Sequence, residues 1–227
     1  MLARKAKLFV VGSGSQARYV IENARRSGEF EIVGIADIEK KENIGKSVNG
    51  IEIMCTLEEL SSSFPPQDGL VVVAYGKNDR KQEIVRQLDV QGYKFATIIS
   101  PQAYLSESAT VKHGAIINPM AAIMPNAYIG AHCIVHSHVV VEHDCYVGDF
   151  ANIGPGVNLA GRVYVGEGCY VYTGASVIPG VRIGAWSVVG AGAVVLKDVH
   201  EGGMVGGVPA RALKENEGGR QKENGRK

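Results

Sequence analysis

Between residues 105 and 195 every sixth position is Val, Ile or Leu. The series runs Leu105, Val111, Ile117, Ile123, Ile129, Val135, Val141, Val147, Ile153, Leu159, Val165, Val171, Val177, Ile183, Val189, Val195 without an insertion. Four residues after each stands Ala, Cys, Ser or Val, from Ala109 to Val199, and Gly often follows directly, as in Ile129-Gly130 and Val147-Gly148. A period of six fits neither the 3.6 of a helix nor the simple alternation of a hairpin sheet. It fits a parallel β-helix, in which each short strand turns one aliphatic residue inward and a small residue fills the corner. Three hexads close one triangular coil, and the series then makes a little over five coils.

The first hundred residues have a different rhythm. Residues 7–11 (KLFVV) predict a buried strand, the turn Gly12-Ser13-Gly14-Ser15-Gln16-Ala17 follows, and a helix extends to about Arg26. Strands are expected at a segment ending in Asp37, at 51–54, at 70–75 and at 95–99, with a helix over 78–92. Strands alternating with helices predict a parallel α/β sheet, Rossmann-like in type, and Ser100-Pro101 marks its boundary with the repeats. The expected organisation is an α/β domain over 1–100, a β-helix over 101–213 and a charged, Gly-rich, disordered tail over 214–227.

The turn reads G-x-G-x-x-A after a strand, with Asp37 twenty residues beyond Ala17. Such a turn lets backbone N–H groups and a helix N-terminus approach phosphate. A turn that merely packs helix on strand is the alternative. About 100 residues are too few for two mononucleotide halves, which favours one nucleotide-sugar over NAD.

Composition narrows the rest. The 29 glycines among 227 residues answer a fold with many tight corners. A net charge of +1 at pH 7 gives no electrostatic case for nucleic acid or an anionic membrane. No apolar run reaches the length of a membrane span. Cys55, Cys133, Cys145 and Cys169 form no CxxC pair and no secreted framework, so reduced thiols in a cytoplasmic protein are expected.

The hexad Val141-Glu142-His143-Asp144-Cys145-Tyr146, followed by VGDF, resembles the active-site segment of the bacterial hexapeptide-repeat acyltransferases that acetylate UDP-4-amino-sugars, and of their sialic acid O-acetyltransferase-like relatives. Ala74-Tyr75-Gly76, Asn78 and the closing Gly207-Val208-Pro209-Ala210-Arg211 extend the likeness over nearly the whole chain. The resemblance implies a left-handed β-helix and a homotrimer with active sites between neighbouring prisms. It further implies acetyl-CoA as co-substrate without a metal, and a UDP-linked 4-amino-4,6-dideoxy-sugar as acceptor. His143 is then the general base and Asp144 its orienting carboxylate. Asn152, Gly161, Thr173 and Lys197 are the expected coenzyme contacts. Gly12, Gly14, Ser15, Gln16, Asp37 and Gly76 are the expected acceptor contacts, Asp37 accepting from the base or ribose. Three positions depart from the family pattern: Gln16 and Asn152 replace histidines, and Asp37 follows Ala36 where relatives pair two acids.

The coil period supplies an independent argument for Gly161. It lies three hexads after His143, one coil away at the inter-strand spacing of about 4.8 Å, where its N–H can meet a thioester oxygen. Cys145 holds a small inward position, which makes it a packing residue. A zinc site of the γ-carbonic anhydrase kind would need a third histidine near His138 and His143, but Met120 and Gln102 stand one and two coils before His138. A β-helix without chemistry would be a scaffold, and would have no use for the His143-Asp144 pair.

Overall fold

The computed structural model describes residues 5–213; the expected tail over 214–227 lies outside them. The chain opens with β1 (Ala6–Val11), α1 (Ser15–Ser27) and β2 (Phe30–Asp37), followed by β3 (Ser47–Val48) and β4 (Ile51–Thr56). It continues through α2 (Leu60–Ser63), β5 (Leu70–Val73), α3 (Asn78–Val90) and β6 (Lys94–Phe95). The sheet order is β3-β4-β2-β1-β5-β6, parallel except for the β3–β4 pair. Leu8, Phe9, Val10 and Val11 are all buried, because helices cover both faces of the central strand. The chain leaves β1 toward β2 and returns to the other side of β1 at β5. Ligands of such sheets bind at the carboxyl ends of the strands where the order reverses.

The repeats form a left-handed parallel β-helix with three flat faces. Face one carries Ile98–Ile99, Ile116–Ile117, Ile134–Val135, Asn152–Ile153, Tyr170–Val171 and Val188–Val189, and ends in Met204–Gly206 with its antiparallel partner Arg211–Ala212. Face two runs from Tyr104–Leu105 to Val194–Val195, and face three from Thr110–Val111 to Arg182–Ile183. Each strand pairs with the one a full coil further along the chain, as Tyr128 with Tyr146. The second residue of each two-residue strand is the periodic aliphatic one, fully or nearly buried from Ile117 to Val195. The corners turn through the left-handed region at every sixth residue, including Asn126, His138, Asp144, Gly156 and Gly168.

One expected strand lies elsewhere. Residues 95–99 do not form a single last strand of the α/β sheet: Lys94–Phe95 ends that sheet, and Ile98–Ile99 pairs with Ile116–Ile117 as the first rung of face one. The reason is the coil period, which offers Ile98 a partner in Ile116, one coil on. The outer sides of Ile98, Ile116 and Ile134 also pack under α1 in one core with Leu8, Val10 and Ile21. The α/β domain therefore sits on face one and not beyond the end of the helix. Polar contacts tie it down: Asn23 Nδ2 donates to Asn118 Oδ1 at 3.1 Å, and buried Lys81 Nζ donates to the His132 carbonyl at 2.7 Å.

Candidate active site

His143 and Asp144 stand on the corner between faces two and three. Asp144 has φ 60°, in the left-handed region that Asp tolerates better than most residues. Its carboxylate is 2.7 Å from Nδ1 of His143 and accepts a second bond from Asn126 Nδ2 at 3.0 Å. A carboxylate only accepts, so Nδ1 carries a proton, and in the neutral ring the lone pair is then on Nε2. The bond from His143, then that from Asn126, holds the Asp144 carboxyl below its ordinary range. Asn126 lies one coil before Asp144, so coil arithmetic alone could have found it.

Nε2 of His143 faces Gly161. A Cβ at residue 161 would lie 2.5 Å from that nitrogen, so only glycine leaves the ring its place. The Gly161 N–H has no acceptor among the described residues. The same corner position is proline at residues 119, 125, 155 and 179, which fits a site where no N–H is needed for the coil. At residue 161 the donor is retained beside the imidazole. Cys145 is buried, its thiol pushed up by burial and donating to the Ala160 carbonyl at 3.1 Å. It is a packing thiol, as are Cys133 and Cys169, which donate to Gly148 and Gly184.

The first-domain residues gather at the carboxyl ends of β1, β2 and β5. Gly12, with φ 112°, lies so close to the Ala74 carbonyl that a Cβ would come within 2.6 Å of its oxygen. One depression is lined by Gly12, Ser13, Gly14, Asp37, Ile38, Glu39, Lys40, Asn43 and Tyr75. A second shares Gly14 and Tyr75 with it and extends along Ser15, Gln16, Gly76 and Lys77 to Tyr170 and Tyr172 of the β-helix. A continuous trough thus runs from the end of β2 to the corner between faces one and two.

Two of the expected contacts carry hydrogen bonds within the protein. Asn152 is fully buried beneath the α/β domain and donates from Nδ2 to the Gly76 carbonyl at 3.2 Å, while its Oδ1 has no partner among the described residues. Asp37 accepts from Ser13 Oγ, from the N–H groups of Glu39 and Lys40 at 2.9 and 2.7 Å, and from Asn43 Nδ2 at 2.9 Å. Burial would raise its carboxyl, but the bonds from Ser13, Asn43, Glu39 and Lys40 outweigh it and bring it to about 2. The carboxylate, which lines the first depression, is thus held by Ser13 of the β1–α1 turn and by Glu39, Lys40 and Asn43 of the loop after β2. Sequence reasoning missed Glu39, Lys40, Tyr170 and Tyr172, which only the fold brings to the trough.

The expected coenzyme residues are divided between edges. Gly161 and exposed Lys197 share the His143 edge, and Lys197 borders a depression with Asp198, His200 and Arg211. Exposed Thr173 lies on the corner between faces one and two, across face two from His143. His138 also lies on that second corner, so the pair considered for zinc spans a whole face. No group of three His, Cys, Asp or Glu side chains able to hold a metal forms among the described residues.

Residues 7–88 match the family described as the PglD N-terminal domain, and residues 126–161 and 162–197 match the bacterial transferase hexapeptide (six repeats). The structure of PerB from Caulobacter crescentus, in complex with CoA and GDP-perosamine, is similar with a TM-score of 0.83 and 33% identity, covering 92% of this chain and 97% of that one. The chain belongs to the hexapeptide-repeat sugar N-acetyltransferase family. A second member, the acetyltransferase domain of PglB from Neisseria gonorrhoeae in complex with acetyl coenzyme A, is 30% identical, with a TM-score of 0.85 and coverage of 92% and 100%. In this N-acetyltransferase chain no helix among the described residues is long and apolar enough to cross a membrane.

Proposed function

We propose that the protein transfers the acetyl group of acetyl-CoA to the amine of a nucleotide-linked amino-sugar, acting as a cytoplasmic homotrimer. One observation carries this reading: an imidazole whose Nδ1 is held by Asp144 and whose Nε2 faces Gly161, a residue whose N–H the coil leaves without an acceptor among the described residues. As the acceptor nitrogen attacks the thioester carbonyl, Nε2 takes its proton. The Gly161 N–H donates to the carbonyl oxygen as charge develops there. The C–S bond then breaks and the imidazolium returns the proton to the thiolate, so the products are the N-acetyl sugar and free CoA.

The relatives crystallised with CoA and GDP-perosamine, and with acetyl coenzyme A, support this assignment. Lys197 and Arg211, at the C-terminal end of the His143 edge, supply cations suited to coenzyme phosphates. The trough that would hold the nucleotide reaches the other edge of face two. One prism therefore carries the base on one edge and the acceptor trough on another, and a neighbouring copy would bring the two together. After the exposed Tyr104 at its N-terminal end, face two presents Ala122, Val140, Asn158, Ser176 and Val194 outward, small or slender side chains that let a second prism approach closely.

The test is thiol release from acetyl-CoA with a panel of UDP- and GDP-linked amino-sugars, free sialic acid and simple amines. His143→Ala is expected to lower turnover by about 10²–10⁴-fold while coenzyme binding persists. Turnover on free sialic acid alone would move the function to O-acetylation. A monomer in sedimentation at micromolar concentration would overturn the shared site.

A further inference from the structure

We infer that the trough takes a guanosine diphosphate in preference to a uridine diphosphate, and that Glu39 is the residue that reads the base. This rests on the nucleotide-sugar reading above and concerns the end of the trough away from the phosphate turn. With Gly12 to Gly14 at the phosphate end, the base falls among Ile38, Glu39, Lys40, Asn43 and Tyr75. The hydrogen-bonding inventory there is short. Asp37 is saturated by four donors. Asn43 is used at both ends, its Nδ2 donating to Asp37 and its Oδ1 accepting from Lys46 Nζ at 2.9 Å. What remains is the Glu39 carboxylate and the Lys40 ammonium. Tyr75 Oη donates to Glu39 Oε1 at 3.3 Å, which steadies the carboxylate and leaves a lone pair on Oε1 and both on Oε2 for a ligand.

A carboxylate accepts and never donates. Guanine offers it two adjacent donors, N1–H and the N2 amino group, and offers O6 and N7 to a nearby ammonium. Uracil has a single N–H between two carbonyl oxygens, so a carboxylate beside it would face an oxygen lone pair. The two free charges in the depression therefore match guanine and penalise uracil, since an unmatched acceptor at the base costs more than a matched one gains. Ile38 and the Tyr75 ring supply the apolar surface against which a purine can lie.

The experiment is calorimetric titration of the full chain, wild type and Glu39→Gln, with GDP, IDP and UDP. GDP is expected to bind at least about tenfold more tightly than UDP, with IDP, which lacks the N2 amino group, weaker than GDP. Glu39→Gln should lower GDP affinity about tenfold, raise UDP affinity because an amide can donate where the carboxylate faced a uracil oxygen, and leave the melting temperature unchanged because Glu39 is exposed. UDP binding as tightly as GDP in the wild type would overturn the base assignment and leave the nucleotide-sugar reading standing. An equal loss for all three nucleotides in Glu39→Gln would overturn it too, and would place Glu39 on the ribose. If none of the three binds, the role of the first domain fails, and this inference with it.

Discussion

Gly161 and His143 are in such contact across one coil that a single methyl group on the glycine would fall 2.5 Å from Nε2 of the ring. The glycine thus does two things at once. It leaves room for the imidazole, and it presents an N–H that has no acceptor among the described residues.

Gly161→Ala is therefore expected to lower kcat by about 10²-fold, because the added carbon drives the imidazole out of line with the acceptor proton. The fold should hold, since residue 161 is outside the left-handed region and alanine's backbone can follow the same path. Steady-state kinetics beside a melting curve checks this. Wild-type kcat would show that the ring has another place to stand.

Asp144→Asn should cost less than His143→Ala, on the order of ten- to a hundredfold in kcat. Asparagine tolerates the left-handed backbone at this corner as aspartate does, so the change removes the charge and spares the turn. In the same assay Cys145→Ala should keep most activity, because its thiol is buried and held in the protonated form. Complete loss in Cys145→Ala with a folded protein would point to an acyl-cysteine route instead.

Lys81 makes the stability of the protein depend on pH. Its ammonium is fully buried at the junction of the two domains, and desolvation lowers it from 10.5 to about 7. Between those values the unfolded chain binds the proton that the folded chain has lost. Stability therefore rises with pH from about 7 toward about 10 and is lowest below it. Between pH 7 and pH 9, urea unfolding should show the stability of the wild type changing by about 2 kcal/mol more in its favour than that of Lys81→Met, a difference that cancels the opposing response of the buried thiols common to both. A parallel pH response in the two proteins would mean that Lys81 is solvated.

The β-helix was legible in the chain because its cause is local and repeated. Each hexad buries one aliphatic residue and turns one corner, and sixteen consecutive hexads leave no other way to satisfy the pattern. The same periodicity placed Gly161 beside His143, and it could have placed Asn126 beside Asp144. It could not show that Ile98–Ile99 would leave the α/β sheet, because two isoleucines suit either sheet. The choice was made by the partner strand Ile116–Ile117 one coil ahead and by the cover of α1. Nor could it show which polar groups remain free. Asp37 at the end of β2 looks in sequence like a ligand contact, yet Ser13 of the first turn joins Glu39, Lys40 and Asn43 of the following loop in donating to it, and Asn152 donates to the Gly76 carbonyl while its buried Oδ1 has no partner among the described residues. A residue's type and spacing follow from the chain alone. Whether its hydrogen-bonding capacity is already filled depends on neighbours brought from elsewhere in the chain, and that only the tertiary structure decided.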